Sequence, residues 1–532
     1  MRIVTIDQMK QLEKEAIQMG LSYDQMMLNA GNGLAEFIKR YFSSNPDFHV
    51  LGLVGPGNNG GDTLVALTNL QETGWKTIAY LSKSRSEEEV HIRQFLKSGG
   101  ELIHHSFENG SQILAEKVLN SRLMLDGLLG TGINLPLRGT VLQILQILQK
   151  IKNLPDVVAV DCPSGVNADS GYADPHALAA RYTLCMSCVK RGLLRFPAFA
   201  LAGDIHTVDI GLPGNLPAWK EITGTVITAK EAARLLPERP PNSHKGTYGT
   251  CMIIAGSSNY YGAPLLAAKA AYRAGTGLVR IATTEGVCGA IAGKLPEAIW
   301  LELPDNNGAI NAKAADVILG SIDKVTSILI GPGLGLTDDT FAFMKRLFSG
   351  KEEKEGRAQY RKISLPQMVL DADALKLISI ITDWPKKIPA RSILTPHPGE
   401  MAAITGIPVL EIQANRIKYA CEFAQKWGHI VVLKGAGTII AAPEGGYSVI
   451  PIATSALAKA GTGDVLAGMI SGFLAQRIEA YDAARLAVWI HAEGGKHAAV
   501  EIGTEISVLA GDVIRAIPAV INKMSGTSER RT

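Results

Sequence analysis

The segment Gly461-Thr-Gly-Asp464 has the clearest chemical potential in this sequence. It precedes an apolar run over 465–470 whose spacing predicts a helix, so its glycines lie in the loop that opens that helix. Backbone N–H groups and the helix dipole at such a place favour binding of a phosphoryl group. Asp464 stands beside the predicted anion, where it could take a proton from a hydroxyl that attacks phosphorus. The alternative is an aspartate that only caps the helix.

A second polar segment, Gly55-Pro-Gly-Asn-Asn-Gly-Gly-Asp62, follows a predicted buried strand over 48–54 and leads into a helix predicted from Thr63 to about Thr73. Its glycine spacing matches the dinucleotide-binding fingerprint. However, the acidic residue expected about 20 positions later is missing, because the next strand ends in Tyr80-Leu-Ser-Lys83. An ordinary nicotinamide-dependent dehydrogenase is therefore disfavoured. The side chains of Asn58 and Asn59 offer oxygens to a cation or a sugar instead.

Two further polar loops follow predicted strands in the same half of the chain, at 126–136 and 161–165. In an open parallel sheet, the carboxyl ends of the strands share one crevice, where ligands bind. A single aspartate after a strand is usually a helix cap. Here Asp126 and Asp161 both occur in glycine-containing loops, which favours a binding site.

Strands alternate with helices through the chain, which predicts parallel sheets covered by helices on both faces. Capping patterns at Thr5 and Ser22 predict helices over 6–19 and 23–42. A boundary is predicted near 215–230, and 350–361 is predicted to be a solvated loop. The remaining predicted strands are 76–82, 102–104, 122–125, 157–160 and 204–209, then 250–255, 327–330, 368–370, 392–394 and 430–433.

Composition limits the class of protein. A chain of 532 residues should contain more than one domain, and 46% hydrophobic with 19% charged residues is typical of soluble globular proteins. A net charge of +3 gives no indication of a nucleic-acid or membrane surface. The polar amphipathic start and the lack of a long apolar run predict a cytoplasmic protein.

Cys185 and Cys188 form a lone CxxC without a second ligand pair, so they are interpreted as structural.

The motifs carry a resemblance over nearly the whole chain. The segments 58–62, 126–132 and 161–165 resemble the YjeF N-terminal family, the NAD(P)H-hydrate epimerases. The segments 243–249, 331–335, 395–400, 434–438 and 461–464 resemble the ADP-dependent NAD(P)H-hydrate dehydratases, which are related to ribokinase-type kinases. In this order the halves are similar to the bacterial bifunctional NAD(P)H-hydrate repair enzymes. Thr63 and Cys162 depart from the usual Gly and Ile of the first family.

The resemblance implies an α/β protein in two parts. Residues 1–222 would form a Rossmann-like three-layer αβα epimerase domain and 223–523 a ribokinase-like αβα dehydratase domain, with 524–532 a disordered tail. The first part would interconvert the R and S hydrates of NADH and NADPH, called NADHX and NADPHX. The second would dehydrate the S form with ADP, releasing AMP and phosphate. Epimerisation by ring protonation and by water exchange both remain open.

The resemblance also implies site residues in the dehydratase half. His397 could instead be structural, although the prolines on either side rigidify its loop and favour a ligand role. With Asp464 as the base, the hydrate would contact Ala263, Gly333, His397 and Asp464, and the adenine nucleotide with Mg²⁺ would contact Lys434, Gly435, Ala436, Gly437, Thr438 and Gly463.

In the epimerase half the implied groups are potassium ligands and hydrate-binding loops. The potassium ligands would be Asn59, Asp126 and Ser164, all oxygen donors as a hard cation requires. Asp161 is the candidate acid or base. The hydrate would contact Asn58, Asn59, Gly60, Gly61, Asp62, Gly130, Thr131, Gly132, Ile133, Asn134, Leu135, Pro136 and Asp161.

The expected partners are small molecules, NADHX, NADPHX and ADP, in a homo-oligomer without nucleic acid or membrane. The main rival is a ribokinase-type kinase that phosphorylates a vitamin precursor with ATP and carries a non-catalytic N-terminal binding module. The loop at 395–400 and the attached N-terminal half argue against such a kinase. Asp126 and Asp161 argue against an inactive module, which need not retain them.

Overall fold

The computed structural model describes residues 1–42, 49–106, 108–349, 352–354, 357–359 and 365–528. The chain divides into two compact units, Met1–Val226 and Ile227–Thr532. Each unit is built around its own sheet and its own hydrophobic core.

The first unit begins with two capped helices. The Thr5 hydroxyl accepts a hydrogen bond from the Gln8 N–H, and the Gln8 side chain accepts one from the Thr5 N–H, which completes the predicted capping box. The helices of this unit are α1 (Ile6–Gln18), α2 (Tyr23–Tyr41), α3 (Asn58–Glu72), α4 (Val90–Lys97), α5 (Gly110–Leu119), α6 (Gly139–Gln149) and α7 (Ala198–Leu201), with 3-10 turns at Arg191–Leu194 and Pro217–Glu221.

Seven strands form the main sheet of the first unit, in the order β4-β3-β2-β5-β6-β7-β9 and all parallel. A separate parallel pair joins β1 to β8 and sets Val4 opposite Lys190. The strands are β1 (Ile3–Val4), β2 (His49–Val54), β3 (Lys76–Leu81), β4 (Glu101–His104), β5 (Ser121–Gly127), β6 (Asp156–Val160), β7 (Tyr182–Met186), β8 (Val189–Lys190), β9 (Asp204–Val208) and β10 (Gly224–Val226).

The sheet of the first unit is buried on both faces. One core joins residues of α1 to α4 to one face of the strands, and a second joins α5 and α6 to the other face. This is the three-layer αβα arrangement, so the predicted fold class is confirmed for this unit. Because β2, β5 and β6 are neighbours, the loops that follow them meet at one edge of the sheet.

In the second unit the strand order is β23-β22-β21-β20-β19-β16-β11-β12-β13, antiparallel only between β21, β22 and β23. Two small antiparallel pairs, β14-β15 and β17-β18, lie apart from it. The strands are β11 (Thr250–Ile254), β12 (Leu278–Thr284), β13 (Ile299–Leu303), β14 (Asp305–Asn306), β15 (Ala309–Ile310), β16 (Ser327–Ile330), β17 (Glu352–Lys354), β18 (Arg357–Gln359), β19 (Met368–Leu370), β20 (Ile393–Leu394), β21 (Ile430–Leu433), β22 (Ile439–Ala441) and β23 (Tyr447–Val449).

Helices pack on this second sheet as well, and its α/β class is likewise confirmed. They are α8 (Ala229–Arg234), α9 (Gly262–Arg273), α10 (Glu285–Ile291), α11 (Ala314–Gly320), α12 (Asp338–Leu347), α13 (Asp373–Ser379), α14 (Pro398–Thr405), α15 (Val409–Ala414), α16 (Arg416–Trp427), α17 (Thr462–Ala475), α18 (Ala480–Ile502) and α19 (Ala510–Ser528), with 3-10 turns at Lys245–Tyr248, Ala292–Lys294, Trp384–Lys386 and Ser455–Leu457.

The helix α17 runs through the core of the second unit, with every residue from Val465 to Ala475 buried. It approaches α9 very closely at two glycines. A Cβ atom on Gly468 would lie 2.2 Å from the Ala267 carbonyl oxygen, and one on Gly472 would lie 2.9 Å from the Ala271 Cα. The contact therefore requires residues without side chains, and it fixes the position of the N-terminal end of α17.

Three segments differ from the sequence expectations. The helix α3 begins at Asn58 rather than near Thr63, because extended Gly57 serves as its N-cap, so Gly60 to Asp62 are helical. The predicted tail over 524–532 is helical as far as Ser528, and 529–532 lie outside the described residues. Within the segment predicted to be a solvated loop, 350–361, the structure has the β17-β18 pair. The other residues of that segment lie outside the described part.

Across the described residues, none of the helices has the length and apolar character needed to cross a membrane.

Replacing Gly468 with alanine tests the α9–α17 contact. The added methyl group would clash with backbone atoms of Ala267, which cannot change rotamer to avoid it. We therefore expect the free energy of unfolding of the second unit to fall by roughly 1–3 kcal/mol. Gly289→Ala is the matched control, since that exposed helical glycine has no neighbour within 4 Å. The control should gain about 0.5–1 kcal/mol. Differential scanning calorimetry of the full chain measures both effects, and an unchanged transition in Gly468→Ala would contradict the packing argument.

Candidate active sites

A cavity of about 1110 Å³ lies in the first unit, where the loops after β2, β5 and β6 meet helices α1 and α2. Predicted site residues supply much of its wall. Those that line it are Asn58, Asn59, Asp62, Gly130, Thr131, Gly132, Ile133 and Asp161. The cavity thus brings together the three polar loops that the sequence placed at one sheet edge.

Other predicted residues of this site have packing roles. A Cβ atom on Gly60 would lie 2.1 Å from the Gly55 carbonyl oxygen, and one on Gly61 would lie 2.5 Å from the Met27 Sδ atom. These glycines let α3 sit against its neighbours and are not among the cavity-lining residues. The last part of the predicted loop, Asn134, Leu135 and Pro136, continues beyond the stretch that lines the cavity.

The three predicted potassium ligands lie in one buried network. The Asp126 carboxylate accepts hydrogen bonds from the Ser164 N–H at 2.8 Å and the Ser164 hydroxyl at 2.6 Å. The Leu129 N–H donates to the same hydroxyl at 2.9 Å. The Asn59 amide donates to the Val160 carbonyl at 2.6 Å. The loops that begin at Asp126 and Asp161 are therefore tied to each other and to α3.

Asp126 is fully buried, and burial raises the pKa of its carboxyl group. Hydrogen bonds from Ser164 and from the Leu128 N–H lower that pKa and so oppose the effect of burial. Within the described part of the chain, no Lys, Arg or His forms an ion pair with this carboxylate. A buried carboxyl group without a cationic side chain is stabilised by hydrogen bonds, by binding a proton or by binding a cation. The oxygens of Asp126, Ser164 and Asn59 fit a hard cation, whereas the described residues contain no cluster of three His, Cys, Asp or Glu side chains that could hold a metal.

Asp161 forms a second charged group in the same cavity. One of its oxygens, Oδ1, accepts a hydrogen bond from the Met186 N–H at 2.9 Å and pairs with the Lys190 ammonium. Burial, and after it the charge of Asp161, raises the pKa of Asp62 well above its usual range, while Lys190 opposes that rise. Lys190 was not predicted as a site residue. The only signal in the sequence was a lysine that ends an otherwise apolar stretch.

In the second unit, the glycine loop opens a helix as predicted, since α17 begins at Thr462. Gly461 has a φ of +86°, a left-handed conformation that favours glycine. The Thr462 hydroxyl donates to the carbonyl oxygens of Leu457 and Lys459, both at 2.8 Å. The turn is thereby fixed while Gly463 and Asp464 form the first turn of the helix.

Asp464 lies close to other charged side chains. Burial, followed by the charge of Asp371, raises the pKa of Asp464 to about 7, and Lys434 opposes the shift. The Lys434 ammonium lies 2.6 Å from Asp371 Oδ1 and 3.6 Å from Glu400 Oε2. A carboxyl group with this pKa can accept a proton near neutral pH. The sequence placed Asp371 and Glu400 in loops that follow strands but gave neither residue a role, because both are distant from Asp464 along the chain.

Lys434 belongs to a loop that the structure holds rigidly. The half-buried Arg416 guanidinium donates to the carbonyl oxygens of Leu433 at 3.0 Å, Lys434 at 3.2 Å and Ala436 at 2.5 Å. The Thr438 hydroxyl donates to the Gly435 carbonyl at 2.8 Å. The loop 434–438 is thus pre-shaped, and Gly463 lies beside it, since a Cβ there would be 3.7 Å from the Lys434 ammonium.

His397 caps helix α14. Its Nδ1 accepts hydrogen bonds from the N–H groups of Gly399 at 3.0 Å and Glu400 at 3.3 Å, and the Glu400 carboxylate accepts from the His397 N–H at 2.7 Å. This is the structural role that the sequence left open. The side chain is nevertheless 54% exposed, with Nε2 on its outer side 3.4 Å from the other Glu400 oxygen, so the ring can also contact a ligand.

Gly333 and Ala263, which were both predicted to face one ligand, lie side by side. Gly333 has a φ of +65°, and a Cβ there would lie 3.2 Å from the Ala263 Cβ and 2.5 Å from the Tyr260 Cβ. The Asp373 carboxylate accepts from the Gly335 N–H at 2.9 Å, which holds this loop near the end of β19. Tyr260 is exposed beside it and was missed by the sequence reasoning.

Comparison with known protein families gives two matches. The model for NAD(P)H-hydrate dehydratase matches residues 251–519, and the model for the YjeF-related protein N-terminus matches residues 23–192. The first match covers the loops around Asp464 and the second covers the cavity-lining loops of the first unit.

Individual relatives match over nearly the full length. The bifunctional NAD(P)H-hydrate repair enzyme of Moorella thermoacetica is 32% identical over 98% of this chain and 97% of its own. The enzyme of the same name from Escherichia coli is 32% identical over 97% of this chain and 93% of its own. A solved ADP/ATP-dependent NAD(P)H-hydrate dehydratase from Bacillus subtilis, co-crystallised with ATP and Mg²⁺, is 33% identical, with a TM-score of 0.47 over 56% of this chain and 98% of that one.

The raised pKa of Asp464 predicts a pH-dependent cost in stability. Between the usual pKa of an aspartate and about 7, the native carboxyl group holds a proton that the unfolded chain does not. The free energy of unfolding therefore falls as pH rises through this range. We expect Asp464→Asn to stabilise the second unit by roughly 2–3 kcal/mol at pH 8 and by little at pH 4. Thermal unfolding at both pH values measures this. Exposed Asp323→Asn is the control, and equal gains at both pH values would contradict the assignment.

Proposed function

The chain belongs to the family of bifunctional NAD(P)H-hydrate repair enzymes, and from that membership we propose which reaction each of its two units catalyses. The protein interconverts the R and S hydrates of NADH and NADPH and dehydrates the S form. We assign epimerisation to the first unit and nucleotide-dependent dehydration to the second. The boundary between them, predicted at 222/223, the homo-oligomeric state and the cytoplasmic location stay predictions.

The observation that carries the assignment of the second unit is Asp464 beside the turn 461–463, with its pKa raised to about 7. A hydroxyl group leaves carbon poorly, but a phosphate leaves well. We propose that ionised Asp464 takes the proton of the hydrate's hydroxyl as that oxygen attacks the β-phosphorus of ADP. AMP departs, phosphate then leaves the ring, and loss of a neighbouring ring proton restores NADH or NADPH. The N–H groups of the turn would stabilise the charge on the phosphoryl oxygens.

The adenine nucleotide is assigned to the loop 434–438 with Gly463. Arg416 supports this assignment, because its three hydrogen bonds hold the loop in one shape before any ligand binds. Ala263, Gly333 and His397 are assigned to the hydrate. Mg²⁺ fits a site in which nucleotide phosphates supply most of its oxygens, with a carboxylate such as Asp371 nearby, and it neutralises phosphate charge when bound.

In the first unit, Asp161 is proposed as the acid or base of epimerisation and the surrounding loops as the hydrate site. Asn59, Asp126 and Ser164 are proposed to hold a potassium ion. The burial of the Asp126 carboxyl group, which has no ion-pair partner among the described residues, supports this, since a monovalent cation would balance the charge of its ionised form. The ion, when bound, supplies the positive charge that keeps the loops after β5 and β6 together. The same network of hydrogen bonds positions the Asp161 loop against α3.

Recovery of reduced-nicotinamide absorbance from mixed R and S hydrates tests the division of labour. The wild-type protein with ADP should restore all of the absorbance. Asp464→Asn should lower the rate of dehydration about 10²–10⁴-fold, because the general base is lost. The same variant should still equilibrate the two epimers, which chromatography of the hydrates measures.

Comparison with ATP in place of ADP determines which nucleotide the second unit prefers. Failure of the wild-type protein to recover absorbance with either nucleotide, together with ATP-dependent phosphorylation of a hydroxymethyl substrate, would favour a ribokinase-type kinase instead. Retained dehydration in Asp464→Asn would remove the proposed base.

Potassium dependence tests the network around Asp126. We expect epimerisation to fall at least about tenfold when K⁺ is replaced by a large organic cation, since the loops lose their balancing charge. Asp126→Asn should epimerise weakly and be insensitive to K⁺. Dehydration of the S hydrate by the same samples is the internal control for the second unit. Epimerisation that does not change with K⁺ would contradict the assigned ligands.

A further inference from the structure

Lys190 is a buried lysine in the wall of the first unit's cavity that no motif explains. It ends β8, and only 1% of its surface is exposed. Its ammonium pairs with Asp161 and donates to the Met186 carbonyl at 3.3 Å. Burial is the largest influence on the pKa of Lys190 and lowers it, but the charge of Asp161, the hydrogen bond to it and the nearby Cys185 and Cys162 thiols together outweigh burial and leave that pKa raised. The ammonium form of Lys190 is therefore the favoured one in the cavity.

The partner of Lys190 has an unusual backbone. Asp161 has a φ of +66°, in the left-handed region that L-residues other than glycine rarely adopt. Its Oδ1 atom takes both the ion pair with Lys190 and the hydrogen bond from the Met186 N–H. No hydrogen bond to the other oxygen, Oδ2, occurs within the described residues. Two donors from the β7–β8 segment thus fix one oxygen of a strained residue and leave the second oxygen unengaged.

Other charged groups face this pair from the surrounding elements. Glu13 of α1 and Asp62 of α3 line the cavity, and the Asp161 and Lys190 charges act on both. Lys10 and Lys14 of α1 and Asp24 of α2 also line it. The thiols of Cys162 and Cys185 are buried close to Lys190 and are kept protonated by pKa values above the usual range. Among the residues that the structure describes, Lys190 is the cation that contacts Asp161.

We propose that Lys190 is the positioning residue for epimerisation: it binds Oδ1 of Asp161 and leaves Oδ2 as the atom that exchanges a proton with the hydrate. In each turnover the C–O bond at C6 breaks and re-forms on the opposite face of the ring: Oδ2 accepts one proton from the water that adds to C6 and gives one to the hydroxide that leaves C6, so one water replaces another and Asp161 ends as it began. The proposal rests on the assignment of epimerisation to this cavity. It adds which atom moves the proton and which residue directs it.

A double-mutant cycle tests the proposal in the full-length protein, using R hydrate corrected for the uncatalysed reaction. We expect Lys190→Met to lower epimerase kcat about 10–100-fold with little change in KM, because the carboxylate loses its fixed orientation. In an Asp161→Asn background, Lys190→Met should cause almost no further loss, because Lys190 acts only through Asp161. Two independent losses that multiply would overturn the proposal.

The pH profile separates positioning from mere packing. Removing an ammonium group beside a carboxylate makes the carboxylate easier to protonate, so the loss of epimerisation on acidification should begin at higher pH in Lys190→Met. Lys190→Arg keeps the charge and should retain the wild-type pH limb with a smaller loss of kcat. It also keeps the test decisive if Lys190→Met does not fold. A pH limb that moves equally in both variants, or in neither, would contradict the proposal.

Two controls separate this proposal from the assignment beneath it. Lys117→Met removes a lysine that pairs with Glu101 outside the cavity, and it should leave the rate and the pH profile unchanged. If the wild-type protein itself does not accelerate epimerisation, the assignment of the first unit fails. If it does, and Lys190→Met matches it in kcat and pH profile, only the role of Lys190 fails.

Discussion

Negative charge buried at the ends of parallel strands is the constraint on which both sites depend. A carboxylate removed from water must be balanced, and each site balances it differently. In the first unit, Asp126 relies on hydrogen bonds from Ser164, whereas Asp161 has the ammonium of Lys190. In the second unit Lys434 pairs with Asp371, which leaves Asp464 only partly compensated. The uncompensated groups are the ones suited to accept protons or bind cations.

Close backbone approach is what lets these charges meet. A Cβ atom on Gly55 would lie 1.8 Å from the Leu128 carbonyl oxygen, and one on Gly130 would lie 2.5 Å from Asn59 Oδ1. The loops after β2 and β5 can therefore close over the Asp126 network. In the second unit, the left-handed Gly461 turns the chain so that α17 presents its first N–H groups beside Lys434. Glycine sets the distances, and the charged side chains supply the chemistry.

The sequence predicted the strands and the loops that follow them well, because burial and alternation are local properties that the chain displays directly. It also located Asp464, since a glycine turn before an apolar helix is a local pattern. It did not predict Lys190 or Arg416 as parts of the sites, and it gave Asp371 no role. Their importance arises from contacts with residues far away in sequence, such as Arg416 with the 433–436 carbonyls. The start of α3 was misplaced because a helix that begins with two asparagines and two glycines has weak local propensity.

The division of one chain into two compact units has a consequence for stoichiometry. Hydration of the cofactor gives two epimers that differ in configuration at one carbon, and each unit handles a different part of that damage. Because a single polypeptide carries both units, every molecule synthesised delivers one catalyst of each kind. The two kinds of site are therefore made in a one-to-one ratio by translation of one message, which unequal expression of two separate proteins could not guarantee.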